Sequence, residues 1–228
     1  MLINDGRKMV YSLGITRIDL QKSCLYASIS HAISLLKYPE LDYEQSWDGI
    51  NYNQVNGQGA RGTISFSEGV VVGAFRNENL HQSYKPADTY LEGADEKTKM
   101  LAKNETFLYL LDDLSLYVSD KGNTDIKPVI TTAFWGDDEI FSNDTVEDFE
   151  LHSDNLLDFA FSNEEKQKEY WKEYYEFSIN EIDLVESIYE IKQNNSKQKI
   201  ELYNFQKFLT KTYDEKGFSA CQDSLSEI

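Results

Sequence analysis

The longest uninterrupted apolar stretch of this chain, residues 69–75, most constrains what the chain can fold into. It contains three consecutive valines, and β-branched residues favour strands. Because the stretch is apolar at both alternating positions, other parts of the molecule must cover both of its faces. It therefore predicts a central strand of a sheet, and it is far shorter than the roughly 20 residues of a membrane-spanning helix.

Alternating apolar and polar residues predict further strands beside this one. Residues 50–52 and 63–66 alternate in this way, and Ser67-Glu68-Gly69 is typical of a short hairpin turn. Another apolar run with a turn follows much later in the chain. We expect a small antiparallel or mixed sheet, with strands at about 47–75 and 128–141.

Two helices are predicted among the strands. The first covers residues 19–37, where Asp19 can cap the start, Pro39 marks the end and apolar residues recur every three or four positions. The second covers residues 95–117. Its apolar residues, which we expect to form a buried stripe, are Met100, Leu101, Phe107, Leu108, Leu111 and Leu114.

The C-terminal third of the chain is predicted to be helical. An aromatic-rich helix is expected over residues 163–177. Ser178 and Glu181 have the spacing of a capping box, which predicts that the next helix begins there. A last, amphipathic helix is expected over residues 197–213.

These elements indicate the α+β class. We expect a sheet-containing part over residues 1–142 and a helical part over residues 143–216 that packs on it as one composite domain. Residues 217–228 are expected to form a loose tail.

Residues 57–62 match the spacing G-x-G-x-x-G. In a dinucleotide-binding fold this motif connects a strand to a helix whose N-terminus faces the pyrophosphate, but the residues that follow here alternate as a strand. A protein kinase would need a lysine on the next strand and the signatures H-R-D and D-F-G. That strand ends in Arg76 instead, and neither signature occurs. We therefore interpret the glycines as a hairpin turn.

Two of the four arginines of the chain, Arg61 and Arg76, flank this hairpin. A guanidinium can bind a carboxylate or a phosphate through two hydrogen bonds. One alternative function is therefore an anion- or nucleotide-binding domain around Arg61 and Arg76, beside the polar-aromatic residues Trp47 and Asp48. The other interpretation is an ion pair within the chain, which has 40 acidic residues.

Residues 21–24, Gln-Lys-Ser-Cys, resemble the start of the cysteine-bearing helix of papain-like cysteine hydrolases. The resemblance implies a nucleophilic Cys24 whose pKa is lowered by the helix N-terminus. His31 would lie about 10 Å further along the same helix, at 1.5 Å per residue, and cannot be its base. The candidate bases are His81 and His152, which makes a cysteine-dependent hydrolase or transferase a second alternative. The other interpretation is a buried structural cysteine.

Neither a metal site nor a cofactor is expected. The three histidines have no paired spacing, there is no C-x-x-C, and no acidic cluster has the spacing of a calcium loop. The two cysteines, Cys24 and Cys221, do not suggest a disulfide framework, and the first ten residues contain no apolar signal segment. We therefore expect a cytoplasmic protein with reduced thiols.

The distribution of charge is the basis of the functional prediction. The chain has 40 Asp and Glu against 22 Lys and Arg, a formal net charge of −18. Residues 128–165, which we call the acidic segment, contain eleven carboxylates and no lysine or arginine. The carboxylates are those of Asp137, Asp138, Glu139, Asp144, Glu147, Asp148, Glu150, Asp154, Asp158, Glu164 and Glu165.

Such a charge opposes binding to nucleic-acid phosphates and to an anionic membrane surface, so neither partner is expected. A concentrated negative surface speeds association with a basic protein, and the composition is similar to that of bacterial immunity proteins and inhibitors that mimic nucleic acids. The sequence therefore predicts an inhibitor or immunity-type protein, of bacterial or phage origin, that occludes a more basic protein partner. We expect contact residues among Asp137, Asp138, Glu139, Glu147 and Asp148.

Overall fold

A computed structural model describes residues 9–83, 85–112, 114–120, 123–194 and 213–228. The described chain divides into two compact units. The first comprises the described residues of Met1–Leu20 and Ile50–Phe161, and the second those of Gln21–Gly49 and Ser162–Ile228. Residues 143–161, which we expected in the helical part, belong to the first unit, and the packing of both parts as one composite domain stays a prediction.

An antiparallel sheet forms the centre of the first unit. The strands, numbered along the described chain, are β1 (Tyr11–Thr16), β2 (Gln45–Asp48), β3 (Asn51–Val55), β4 (Ala60–Ser67), β5 (Val70–Asn77), β6 (Lys85–Pro86), β7 (Leu116–Asp120), β8 (Asn123–Lys127), β9 (Val129–Ile130), β10 (Thr132–Gly136) and β11 (Glu139–Ser142). Strand β2 belongs to the second unit. In the first unit the sheet order is β1-β11-β10-β5-β4-β3, and β6 with β9 and β7 with β8 form separate pairs.

Strand β5 confirms the prediction of a central strand. It lies between β10 and β4, and every one of its residues is buried. On one face, Val72 and Ala74 pack with Leu91 and Ala102 in an apolar core. On the other face, the rings of four phenylalanines contact one another, and these are Phe75, Phe134, Phe149 and Phe161. Coverage of both faces is what the valine-rich sequence requires.

Two glycines inside the sheet make room for aromatic rings on the neighbouring strand. Gly62 pairs with Phe75, and Gly73 pairs with Phe134. A Cβ atom at Gly62 would lie 2.1 Å from the Phe75 ring, and one at Gly73 would lie 2.3 Å from the Phe134 ring. Each ring therefore occupies the space that a side chain would need.

The G-x-G-x-x-G residues form a hairpin between β3 and β4, as interpreted from the sequence. Asn56 starts the turn, and its side-chain Oδ1 accepts hydrogen bonds from the backbone N–H groups of Gln58 at 2.8 Å and Ala60 at 3.0 Å. Gly57 and Gly59 have positive φ values of 67° and 99°. Residues other than glycine rarely adopt such backbone angles.

The helices, numbered along the described chain, are α1 (Arg17–Ser34), α2 (Glu96–Asn104), α3 (Val146–His152), α4 (Glu164–Tyr174), α5 (Ile179–Asn194) and α6 (Glu215–Glu227). With the antiparallel sheet they confirm the α+β class. The first predicted helix is present, but its cap is Thr16 and not Asp19. Thr16 Oγ1 accepts from the Asp19 backbone N–H at 3.1 Å and donates to Asp19 Oδ2 at 2.6 Å, so Asp19 lies inside the first turn.

The second predicted helix is wrong in its length and in its buried stripe. Helix α2 ends at Asn104, a short 3-10 helix follows at Thr106–Leu110, and β7 occupies residues expected to be helical. The helix stops because the next two residues bond to the sheet: Glu105 Oε2 accepts from Asn51 Nδ2 at 3.0 Å, and Thr106 Oγ1 donates to Ser65 Oγ at 2.8 Å. Four residues of the expected stripe are exposed, namely Met100, Leu108, Leu111 and Leu114.

The second unit contains the C-terminal helices. The predicted capping box forms in one of its two directions, because Glu181 Oε2 accepts from the Ser178 backbone N–H at 2.7 Å and from the Ser178 hydroxyl at 2.8 Å at the start of α5. The Glu181 backbone N–H donates to the Ser178 carbonyl oxygen at 3.2 Å and not to the hydroxyl. The expectation of a loose tail is wrong: most of residues 217–228 lie in α6, where Cys221 and Leu225 are buried and Asp214 caps the start by accepting from the Gly217 N–H at 2.8 Å. The helix expected over residues 197–213 lies almost wholly outside the described residues.

Candidate functional site

The two arginines that flank the hairpin bind the same carboxylate. Arg61 and Arg76 are opposite each other on β4 and β5, and both donate from Nη2 to Asp112 Oδ2. Arg76 also donates from Nη1 to Asp112 Oδ1 at 3.0 Å and from Nη2 to Glu78 Oε1 at 3.2 Å. Only 1% of the Arg76 side chain is exposed, so its charge is held within the first unit by two carboxylates.

Electrostatics favours this arrangement over an open anion site. The hydrogen bonds from Arg76 lower the pKa of Asp112 to about 2, so the carboxylate stays ionised between the two guanidiniums. Any phosphate would have to displace it. Trp47 and Asp48 belong to the second unit, where Trp47 Nε1 donates to Ser28 Oγ at 2.6 Å. The structure therefore favours the interpretation as an ion pair within the chain.

Cys24 has the environment of a structural cysteine. It lies in the interior of α1, its side chain is completely buried, and burial raises its pKa well above the usual value for a thiol. A nucleophilic cysteine needs the opposite, namely access and a lowered pKa. Cys221 is also buried with a raised pKa, and both thiols are free.

The structure describes the surroundings of His152 and His31. His152 belongs to the first unit, and its Nδ1 lies 3.1 Å from Asp144 Oδ2. The side chain of His81 lies outside the described residues. His31, excluded as a base from the sequence, is buried, and its Nε2 donates to the Leu41 carbonyl oxygen at 2.9 Å. Burial lowers the pKa of His31 to about 4.

The acidic segment separates into groups at opposite ends of β11. Asp137 and Asp138 are exposed in the turn before this strand and Glu139 is exposed at its first position. Glu147 and Asp148 are exposed on the first turn of α3, which follows the strand in the chain. The carboxylates that we expected to contact a partner therefore form two charged groups, which we call the turn group and the helix group.

Within the described ranges, the carboxylates of the turn group and the helix group take part in no ion pair. Among the described residues, no lysine or arginine forms an ion pair with an acidic side chain between Asp137 and Asp158. Asp144 instead binds Thr132 and His152. Burial, and then the negative charge of Glu150, raise the pKa of Asp158.

The second unit has an exposed aromatic surface that the sequence analysis did not identify. Tyr170 and Tyr174 lie one turn apart on α4 and stack with their ring centroids 5.8 Å apart, and both are exposed. Tyr43 is exposed as well, and it contributes, after burial and Glu44, to the raised pKa of Tyr174. We call Tyr43, Tyr170 and Tyr174 the tyrosine surface.

Buried rings support this surface from below. Trp171 and Tyr175 are buried and stack with their centroids 5.4 Å apart, and Tyr174 packs edge-on against Tyr175 at 4.9 Å. The aromatic repeat of α4 was visible in the sequence. The sequence did not show which of these rings face solvent, because aromatic residues occur at adjacent positions around the helix.

Two further properties concern the described ranges only. Within them, no three His, Cys, Asp or Glu side chains are grouped so that they could hold a metal ion, and no helix combines the length and the apolar character needed to cross a membrane. Comparison with protein-family models, with curated proteins and with solved structures found no match to this chain.

Proposed function

We propose that this chain is a protein-binding protein that recognises a basic protein partner through exposed carboxylates, and that it acts by occluding that partner. The observation that carries the proposal is the set of surface carboxylates of the turn group and the helix group, which form no ion pair with a described lysine or arginine. Carboxylates that are not neutralised within their own chain can attract cations on another protein.

The proposed contact residues lie in two separate groups, the turn group and the helix group. Each group presents a compact set of charges, so each can increase the rate of encounter with a basic surface. The tyrosine surface adds a different kind of contact. Exposed, well-supported tyrosines resemble the anchor residues of protein interfaces, and their ring faces attract lysine and arginine side chains.

The proposal is tested by capture from native lysate with variants that neutralise three carboxylates each. In the turn group these are Asp137→Asn, Asp138→Asn and Glu139→Gln, which keep the shape and an acceptor oxygen. The matched control neutralises three exposed carboxylates of α5 and α6, namely Glu190→Gln, Asp223→Asn and Glu227→Gln. Both variants change the net charge by the same amount.

We expect the unmodified chain to retain a basic protein whose capture declines as salt is raised, because exposed charges are screened. The turn-group variant should weaken capture about tenfold while the control changes it less than about twofold. A further variant that neutralises the two carboxylates of the helix group, Glu147→Gln with Asp148→Asn, should weaken capture as well. Retention that ignores salt, or an equal loss in the control, would refute recognition by these carboxylates.

A further inference from the structure

The tyrosine surface of the second unit lies beside a buried carboxylate. Glu44 follows Tyr43 directly in the chain, and only 8% of the residue is exposed. The next residue, Gln45, donates from Nε2 to the hydroxyl oxygen of Tyr175 at 3.3 Å, and the ring of Tyr175 packs against that of Tyr174 with centroids 4.9 Å apart. These contacts place the short segment around Glu44 against the exposed and buried rings of α4.

The Glu44 carboxylate has no compensating group within the described ranges. There it forms neither a hydrogen bond nor an ion pair, and burial raises its pKa. Burial, and then the negative charge of Glu44, raise the pKa values of Tyr174 and Tyr175, so the charge acts on these rings. Because a carboxylate removed from water is costly without a partner, a cation that binds here from another molecule would supply a favourable interaction.

The exposed rings supply the second half of a cation site. Tyr170 and Tyr174 are 39% and 51% exposed, and their ring planes lie within 8° of parallel. The face of an aromatic ring is negative and attracts cations. A planar guanidinium can stack on such a face and also form two hydrogen bonds to a carboxylate, whereas an ammonium group is a compact point charge. Rings beside a carboxylate therefore favour arginine over lysine.

We propose that Glu44 and the tyrosine surface bind an arginine side chain of the basic protein partner. The guanidinium stacks on the exposed face of Tyr174 and donates hydrogen bonds to the Glu44 carboxylate. That the arginine belongs to a basic partner rests on the proposed function. The site itself belongs to the second unit, whereas the turn group and the helix group belong to the first.

An NMR titration of the isotope-labelled full chain with the peptide Ac-Gly-Arg-Gly-NH2 tests the site. We expect saturable shifts of the amide signals of residues 43–45 and 170–174, with a Kd of about 1–10 mM for one ring contact and one charged hydrogen-bond pair. The matching citrulline peptide has the same shape but a neutral urea group, and it should bind at least about fivefold more weakly. The matching lysine peptide should bind at least about twofold more weakly.

Two pairs of variants locate the site. Glu44→Gln removes the buried charge and should weaken binding of the arginine peptide at least about tenfold, whereas Glu190→Gln, which removes an exposed charge of the same unit, should change it less than about twofold. Because a neutral amide costs less to bury than a carboxylate, Glu44→Gln should remain folded. Tyr174→Leu removes the ring and should weaken binding at least about threefold, whereas Tyr174→Phe keeps the ring face and should change it less than about twofold.

The proposal is overturned if the arginine peptide does not bind, if the citrulline or the lysine peptide binds equally well, or if Glu190→Gln weakens binding as much as Glu44→Gln does. Equal effects of Tyr174→Leu and Tyr174→Phe would also overturn it, because the ring face would then play no part. The titration does not depend on the captured partner. A lack of peptide binding therefore refutes the arginine site alone, and a failure of salt-dependent capture refutes recognition by the turn group alone.

Discussion

At the scale of single residues, the most demanding feature is Arg76, whose charge is buried beneath the sheet. A buried cation is tolerated only when carboxylates and hydrogen bonds compensate the loss of water. Asp112 provides this compensation through both of its oxygens. The ion pair with Asp112 therefore explains why a guanidinium can lie in the interior of the first unit.

Replacing this carboxylate should destabilise the fold strongly. Asp112→Asn keeps the shape but removes one of the two carboxylates that bind Arg76, the other being Glu78, so we expect the free energy of unfolding to fall by about 3 kcal/mol. Urea denaturation measures this change. The control Glu96→Gln removes one partner of an exposed pair with Lys99 and should cost less than about 0.5 kcal/mol. Equal effects of the two variants would contradict the role assigned to Asp112.

His31 makes the stability of the chain sensitive to acid. Burial lowers its pKa from the ordinary value of 6.5 to about 4 in the folded state, so between these values the unfolded chain binds more protons and stability falls as the pH falls. We expect the His31 contribution to decrease by about 2 kcal/mol between pH 7 and pH 5, at about 1.36 kcal/mol per pKa unit.

The measurement compares urea denaturation of the unmodified chain and of His31→Gln at the two pH values. Glutamine can still donate to the Leu41 carbonyl but does not titrate. The variant should lose about 2 kcal/mol less than the unmodified chain over this interval. An identical pH dependence in both proteins would show that His31 is not responsible.

At the scale of the elements, the packing of β5 against β10 depends on Gly73. Because the Phe134 ring occupies the space of a side chain there, Gly73→Ala should lower the free energy of unfolding by about 2 kcal/mol, as overpacking in cores does. Thermal and urea denaturation would show the loss.

A second substitution tests whether the loss of stability comes from the contact between the alanine methyl group and the Phe134 ring. Phe134→Leu removes the ring, so the double variant Gly73→Ala with Phe134→Leu should lose less stability than the sum of the two single variants. Additive losses would mean that the ring and the glycine do not interact.

At the scale of the whole molecule, the net charge of −18 opposes compaction through self-repulsion. Raising NaCl from about 0.02 M to about 0.5 M screens this repulsion, so we expect the melting temperature to rise at pH 7. The control is the same salt change near pH 4.5, the sequence pI, where the increase should be much smaller. A salt effect independent of pH would contradict self-repulsion as its cause.

The sequence by itself determined the elements whose signals are local. Residues 70–75 could only be a central strand, because their apolar character at every position leaves no face for water. The hairpin of residues 56–59 and the capping box of Ser178 and Glu181 followed from short-range chemistry. Each of these features depends on residues that are close together in the chain.

Only the tertiary structure decided the features that join distant residues. Helix α2 ends where Glu105 and Thr106 form hydrogen bonds to β3 and β4. Nothing in the sequence distinguished Asp112 among the 40 acidic residues, and only the fold places it between two arginines. The burial of Cys24 and the division of the acidic segment by β11 likewise depend on packing. Local propensities are worth a few tenths of a kcal/mol to about 1 kcal/mol per residue, so contacts between distant segments override them.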